Sequence, residues 1–108
     1  MGVIYAIINY IFILLVIFKM EKFVVFGNYC EDAIIKRIPF REQHLNRLKK
    51  LKDHDILITI GPTKCTKYLF GIFNANDENQ LRNLIEEDIY WKKGIWINYD
   101  IYPWIKAF

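Results

Sequence analysis

The chain has 108 residues, with 15 basic and 12 acidic side chains and a formal net charge of +3, which leaves room for one self-supporting domain. That near-balance argues against a nucleic-acid footprint, and the densest basic run, Arg47, Lys49, Lys50 and Lys52, reads as a solvated helix face. Cys30 and Cys65 form no CxxC and have no histidine at zinc-ligand spacing. They read as free thiols of a reducing compartment, with no metal or cofactor expected.

Gly2 to Phe18 carries no charge and is followed by Lys19, Met20, Glu21 and Lys22. An uncharged run of about 17 residues sits at the lower limit for spanning a bilayer. It has neither the basic start nor the small-residue cleavage site of a signal peptide. Three readings stand for residues 1–19. One is translation from upstream of a true start at Met20. Another is a membrane anchor, with Lys19 and Lys22 keeping the following domain on the cytoplasmic side. The third is an extra strand or helix packed on the domain. Residues 20–108 make a complete domain, cytoplasmic on the first reading and tethered to the membrane on the second.

Phe23-Val24-Val25-Phe26 lies in a β-branched and aromatic run, Lys22 to Tyr29, that predicts a strand. Pro39 suits the first turn of a helix, and Phe40, His44, Leu48 and Leu51 then recur on one face of a helix over 39–53. His44 therefore shares a stripe with the core leucines. It is either a buried structural group or a proton-transfer group at the edge of a pocket. Ile56 to Ile60 predicts a second strand, closed by Gly61-Pro62, and Tyr68 to Ala75 a third.

Asn76 and Asp77 open a second helix carrying Leu81, Leu84 and Ile85. A further turn at Asp88-Ile89-Tyr90-Trp91 ends at Lys92-Lys93-Gly94, where glycine can take a left-handed cap. The last strand spans Trp96 to Tyr102. Alternation puts Ile95, Ile97, Tyr99 and Ile101 on one face and Trp96, Asn98, Asp100 and Tyr102 on the other. The order β-α-β-β-α-β is an α+β, ferredoxin-like sandwich, with two helices covering one face of a four-stranded antiparallel sheet. Large apolar residues on the opposite face predict a homodimer packed sheet to sheet.

From Met20 onward the chain resembles the YciI-like (YCII-related) family. The resemblance rests on the opening strand Phe23-Val24-Val25-Phe26, the helix Arg41-Glu42-Gln43-His44-Leu45-Asn46-Arg47-Leu48, Gly61-Pro62, the turn Asp88-Ile89-Tyr90 with Gly94, and the closing Pro103-Trp104. It implies a dimeric α+β barrel protein with a His–Asp pair at its candidate site, here His44 and Asp88. Arg41 and Thr63, the latter in the Gly61-Pro62-Thr63 turn, would line the same cavity and bind substrate. The chain departs from the family at Ile89, where proline is usual. Its loop after Gly61-Pro62 is also shorter, holding Thr63, Lys64, Cys65 and Thr66.

An imidazole with an ordinary pKa of about 6.5 can accept and return a proton near neutrality, and a carboxylate on its far nitrogen fixes the tautomer. Such a pair suits isomerase or lyase chemistry next to the carbonyl of a small carboxylate or lactone, with Arg41 holding a carboxylate by its two-pronged guanidinium. The alternative is a non-catalytic dimeric module that binds a metabolite or a protein through the same cavity. His54, between Asp53 and Asp55, reads as solvated. Asp100 reads as a polar contact of the dimer interface, and Cys65 as a spare loop thiol.

Overall fold

A computed structural model describes residues 2–108, with the side chains of 12–19 outside the description. Helix α1 (Gly2–Lys19) has residues 2–11 exposed throughout. Among the described residues no helix is long and apolar enough to cross a membrane. The anchor reading falls in part on side chains outside the described residues.

The domain that follows is built from β1 (Glu21–Tyr29), α2 (Ala33–Lys36), α3 (Arg41–Asp53), β2 (Leu57–Pro62), β3 (Tyr68–Ala75), α4 (Glu78–Glu86), α5 (Ile89–Lys92) and β4 (Trp96–Trp104). A single 3₁₀ turn, Ile38–Phe40, leads into α3, with Pro39 in the turn where its missing N–H costs nothing. The strands form one antiparallel sheet in the order β2-β3-β1-β4. That order and connectivity are the ferredoxin-like arrangement. The pairing puts the apolar run of β1 in the middle of the sheet, where its alternate residues Phe23, Val25 and Tyr29 join Leu69, Phe73, Leu81, Ile85 and Ile101 in the core. Asp77 caps α4 by accepting from the Gln80 N–H at 2.7 Å, and Gly94 takes the left-handed conformation (φ 68°) that ends α5.

Two strands run further than their prolines suggest. β2 continues through Gly61 and Pro62, paired with Phe70 and Leu69, and β4 continues past Pro103 to Trp104. Both are edge strands, where a proline can turn its donor-less nitrogen away from the ladder. A third difference decides the site. The β1–β4 register shifts between Asn28, paired with Asn98, and Tyr29, paired with Trp96. This bulge leaves Ile97 unpaired and reverses the alternation behind it. Trp96, expected on the outer face, is therefore buried in the core side, and Ile97, expected inside, is half exposed.

The outer face of the sheet remains apolar. Phe26, Tyr68, Phe70, Tyr102 and Trp104 are all exposed on it, with Phe26 and Phe70 edge to face at 5.2 Å.

Candidate functional site

Among the residues of α3, His44 alone is fully buried. The Asp88 side chain has no exposed surface, and it reaches His44 from the loop between α4 and α5. Asp88 Oδ1 accepts from the backbone N–H of Tyr90 at 2.9 Å, which makes it the N-cap of α5, and the same oxygen lies 2.7 Å from His44 Nδ1. Oδ2 accepts from the Arg47 guanidinium at 3.1 Å, and a second Arg47 nitrogen donates to the Leu84 carbonyl at 2.7 Å. A carboxylate offers only lone pairs to these partners. Nδ1 must therefore carry the proton, and in the neutral ring Nε2 is left with a free lone pair.

The ring itself is clamped. Tyr90 stacks on His44 with centroids 3.6 Å apart and planes 9° from parallel, and Trp96 meets its edge at 5.1 Å. The bulge that turned Trp96 inward is what closes this side of the imidazole. A residue held by one charged acceptor and two aromatic walls has its rotamer set by packing, which a general base requires.

His44 opens on a cavity of about 180 Å³, walled by Tyr29, Arg37, Arg41, Leu48, Pro62 and Trp96 among others. Broader clefts lie elsewhere, such as one of about 530 Å³ along the outer face of α3, but His44 lines none of the others described. Burial pushes the hydroxyl pKa of both Tyr29 and Tyr90 up. For Tyr29 this is opposed chiefly by the Trp96 indole, and for Tyr90 chiefly by Arg37. Both phenols stay protonated through the neutral range, so their hydroxyls are available to donate.

The structure thus brings together His44, Asp88 and Arg41, the last at the cavity wall. It does not bring Thr63 to them. The Thr63 hydroxyl accepts from the Tyr68 N–H at 3.3 Å and meets Cys65 Sγ at 3.2 Å in the β2–β3 loop, on a different cleft. The ladder extending through Pro62 carries Thr63 past the cavity, leaving Gly61 and Pro62 as its wall. Cys65 is exposed, with its thiol pKa lowered first by the Thr63 hydroxyl. Arg47, assigned to a solvated face, is instead partly buried against Asp88. Its position three residues after His44, on the same helical stripe, was the available signal. Arg37, Tyr29 and Trp96 carried no such signal. Among the described residues no three potential ligands gather to hold a metal ion.

The family model of the YCII-related domain matches residues 21–105. Among solved structures, the chain is similar to a 5-chloro-2-hydroxyhydroquinone dehydrochlorinase from Burkholderia phenoliruptrix AC1100, solved in complex with 2,5-dihydroxybenzoquinone. The TM-score is 0.69 at 21% identity, over 80% of this chain and 95% of that one. No curated protein matches the sequence.

Proposed function

The chain belongs to the YCII-related domain family, and from that premise we propose that it is a small-molecule enzyme whose reaction begins with proton abstraction by His44. The observation that carries the reading is the 2.7 Å contact between His44 Nδ1 and a carboxylate that also caps a helix and pairs with Arg47. On this reading Nε2 faces the cavity as the base. The C–H bond next to a substrate carbonyl breaks, its proton goes to Nε2, and its electron pair moves onto the carbonyl oxygen as an enolate. Asp88 steadies the imidazolium so formed. Return of the proton to another carbon gives isomerisation. Expulsion of a leaving group gives elimination, with the proton passing to water.

The size of the cavity supports a substrate of one ring or a few carbons. An apolar cavity of about 150 Å³ holds a benzene molecule, and pockets for larger ligands run to several hundred. The dehydrochlorinase name and single-ring ligand of the similar structure agree with that class and with a lyase-type outcome. Arg41 and Arg37 at the wall favour a substrate carrying a carboxylate.

The test is deuterium uptake. Small 2-oxo acids and unsaturated lactones are incubated with the protein in heavy water, and exchange of the proton next to the carbonyl is followed by NMR. Exchange above the protein-free rate, lost in His44→Gln, is the expected result. No exchange across the panel, together with unfolding of His44→Gln, favours the non-catalytic binding module.

The working unit is proposed to be a homodimer joined through the outer sheet face, since five exposed aromatic residues on one face are more than a lone domain ordinarily presents to water. Light scattering at micromolar concentration is expected to give twice the chain mass. A single-chain mass would contradict the dimer and leave the site untouched.

A further inference from the structure

Removing a proton beside a carbonyl leaves negative charge on an oxygen, and the proposed reaction needs a donor aimed where that charge forms. Besides the two arginines, the cavity wall carries two phenols, Tyr29 and Tyr90; the Tyr90 ring is committed to stacking on His44, which leaves Tyr29 as the group suited to this. Tyr29 sits at the end of β1, immediately after the bulge, and lines the cavity with His44. Among the described residues its hydroxyl has no well-formed hydrogen bond, yet it is not sealed from the cavity. Behind it stands Trp96, whose indole N–H is buried without a hydrogen-bond partner. That N–H lies near enough to the phenol oxygen to act on its ionisation, without forming a well-directed bond to it.

An orphaned buried donor is costly and calls for an explanation. Here the explanation is an arrangement completed by ligand. When Tyr29 O–H turns toward an anionic oxygen in the cavity, its own lone pair turns back toward the indole.

We propose that the Tyr29 hydroxyl, backed by the Trp96 indole N–H, forms an oxyanion subsite that takes the enolate oxygen of the substrate. The subsite shares the cavity with Arg37 and Arg41, which receive a carboxylate. The substrate class is thereby narrowed to small carbonyl compounds whose oxygen lies on the Tyr29 side while the departing proton lies toward His44 Nε2. Burial of Tyr29 keeps the donor in its protonated form, and the indole behind it makes that proton a stronger hydrogen-bond donor. Trp96 is a positioning residue, because it acts through Tyr29.

This inference rests on the reading of the same cavity as the working site, and it is tested without turnover. 4-Nitrophenolate mimics an enolate, and 4-nitroanisole is its neutral counterpart. Both are titrated into the whole chain, with the visible absorbance of the phenolate reporting the bound ionisation state. The wild-type protein is expected to bind the phenolate in preference to the anisole and to lower the ionisation pKa of the bound phenol. Tyr29→Phe should weaken phenolate binding by about tenfold or more and leave the anisole unchanged, the size expected for one hydrogen bond to a charged group. Trp96→Phe should reduce the ionisation shift of the bound phenol while Tyr29 is still present.

His44→Gln should retain phenolate binding. If the phenolate behaves in this way while no carbonyl substrate exchanges its proton, the acid–base reading fails and the oxyanion subsite stands. Equal binding of phenolate and anisole by the wild type, or unchanged phenolate affinity in Tyr29→Phe, overturns the subsite. So does a complete absence of phenolate binding to the folded wild-type protein.

Discussion

His44→Gln will slow deuterium exchange on the best substrate by about 10²- to 10⁴-fold, the range expected when a positioned general base is removed. Glutamine is the informative replacement because its side-chain amide can still donate to Asp88 Oδ1, so the buried carboxylate keeps a partner where the imidazole stood. What it lacks is a basic lone pair facing the cavity. It also gives up the stacking on Tyr90, worth about 0.5–1.5 kcal/mol for an aromatic pair. A modest fall in the urea midpoint should therefore accompany the collapse in rate. A rate loss with the fold retained separates the base from a merely structural histidine.

Asp88→Ala is expected to cause a large loss of stability, about 3–5 kcal/mol, the range for removing one partner of a buried ion pair. Three attachments go at once: the Arg47 guanidinium, the His44 ring and the cap on α5. The cap alone contributes about 0.5–2 kcal/mol. Arg47 keeps about a quarter of its side chain exposed, at 26%, so it can recover some water, which holds the loss toward the lower end. Asp88→Asn preserves an oxygen for Tyr90 N–H and His44 but turns an NH₂ toward Arg47. It should fall between the wild type and the alanine variant. Urea unfolding followed by tryptophan fluorescence measures all three, and an alanine variant as stable as the wild type would show that Asp88 carries none of this.

The contrast between these two residues marks what could be read from the chain. The periodicity of Phe40, His44, Leu48 and Leu51 placed His44 on the buried face of α3, and the run of short β-branched segments specified the order of the four strands. Asp88 was reachable only through its family resemblance, since nothing local says that an aspartate opening a four-residue helix will meet a residue 44 positions earlier. Trp96 was misplaced for a definite reason. Alternation along a strand presumes an unbroken ladder, and one skipped residue at Ile97 turns Trp96, the strand residue before it, to the opposite face.

Thr63 was placed at the cavity by the family resemblance, through the Gly61-Pro62-Thr63 turn, and lies instead on a different cleft. On an edge strand the ladder runs through Gly61 and ends at Pro62, which leaves Thr63 beyond the cavity wall. Arg47 was legible in spacing but masked by its basic neighbours. Arg41, Gly61 and Pro62 were reached at the cavity through the family resemblance, but Tyr29, Arg37 and Trp96 were not legible, because they come from separate elements that only the fold brings together.

The protonation of the His44 ring tests the central claim most directly. Long-range proton–nitrogen NMR distinguishes the two ring nitrogens of a neutral imidazole. Spectra of the folded protein at a pH where the ring is uncharged should show Nδ1 bearing the proton and Nε2 without one, and Asp88→Asn should loosen that preference. A ring with its proton on Nε2 would leave no base facing the cavity and would contradict the account.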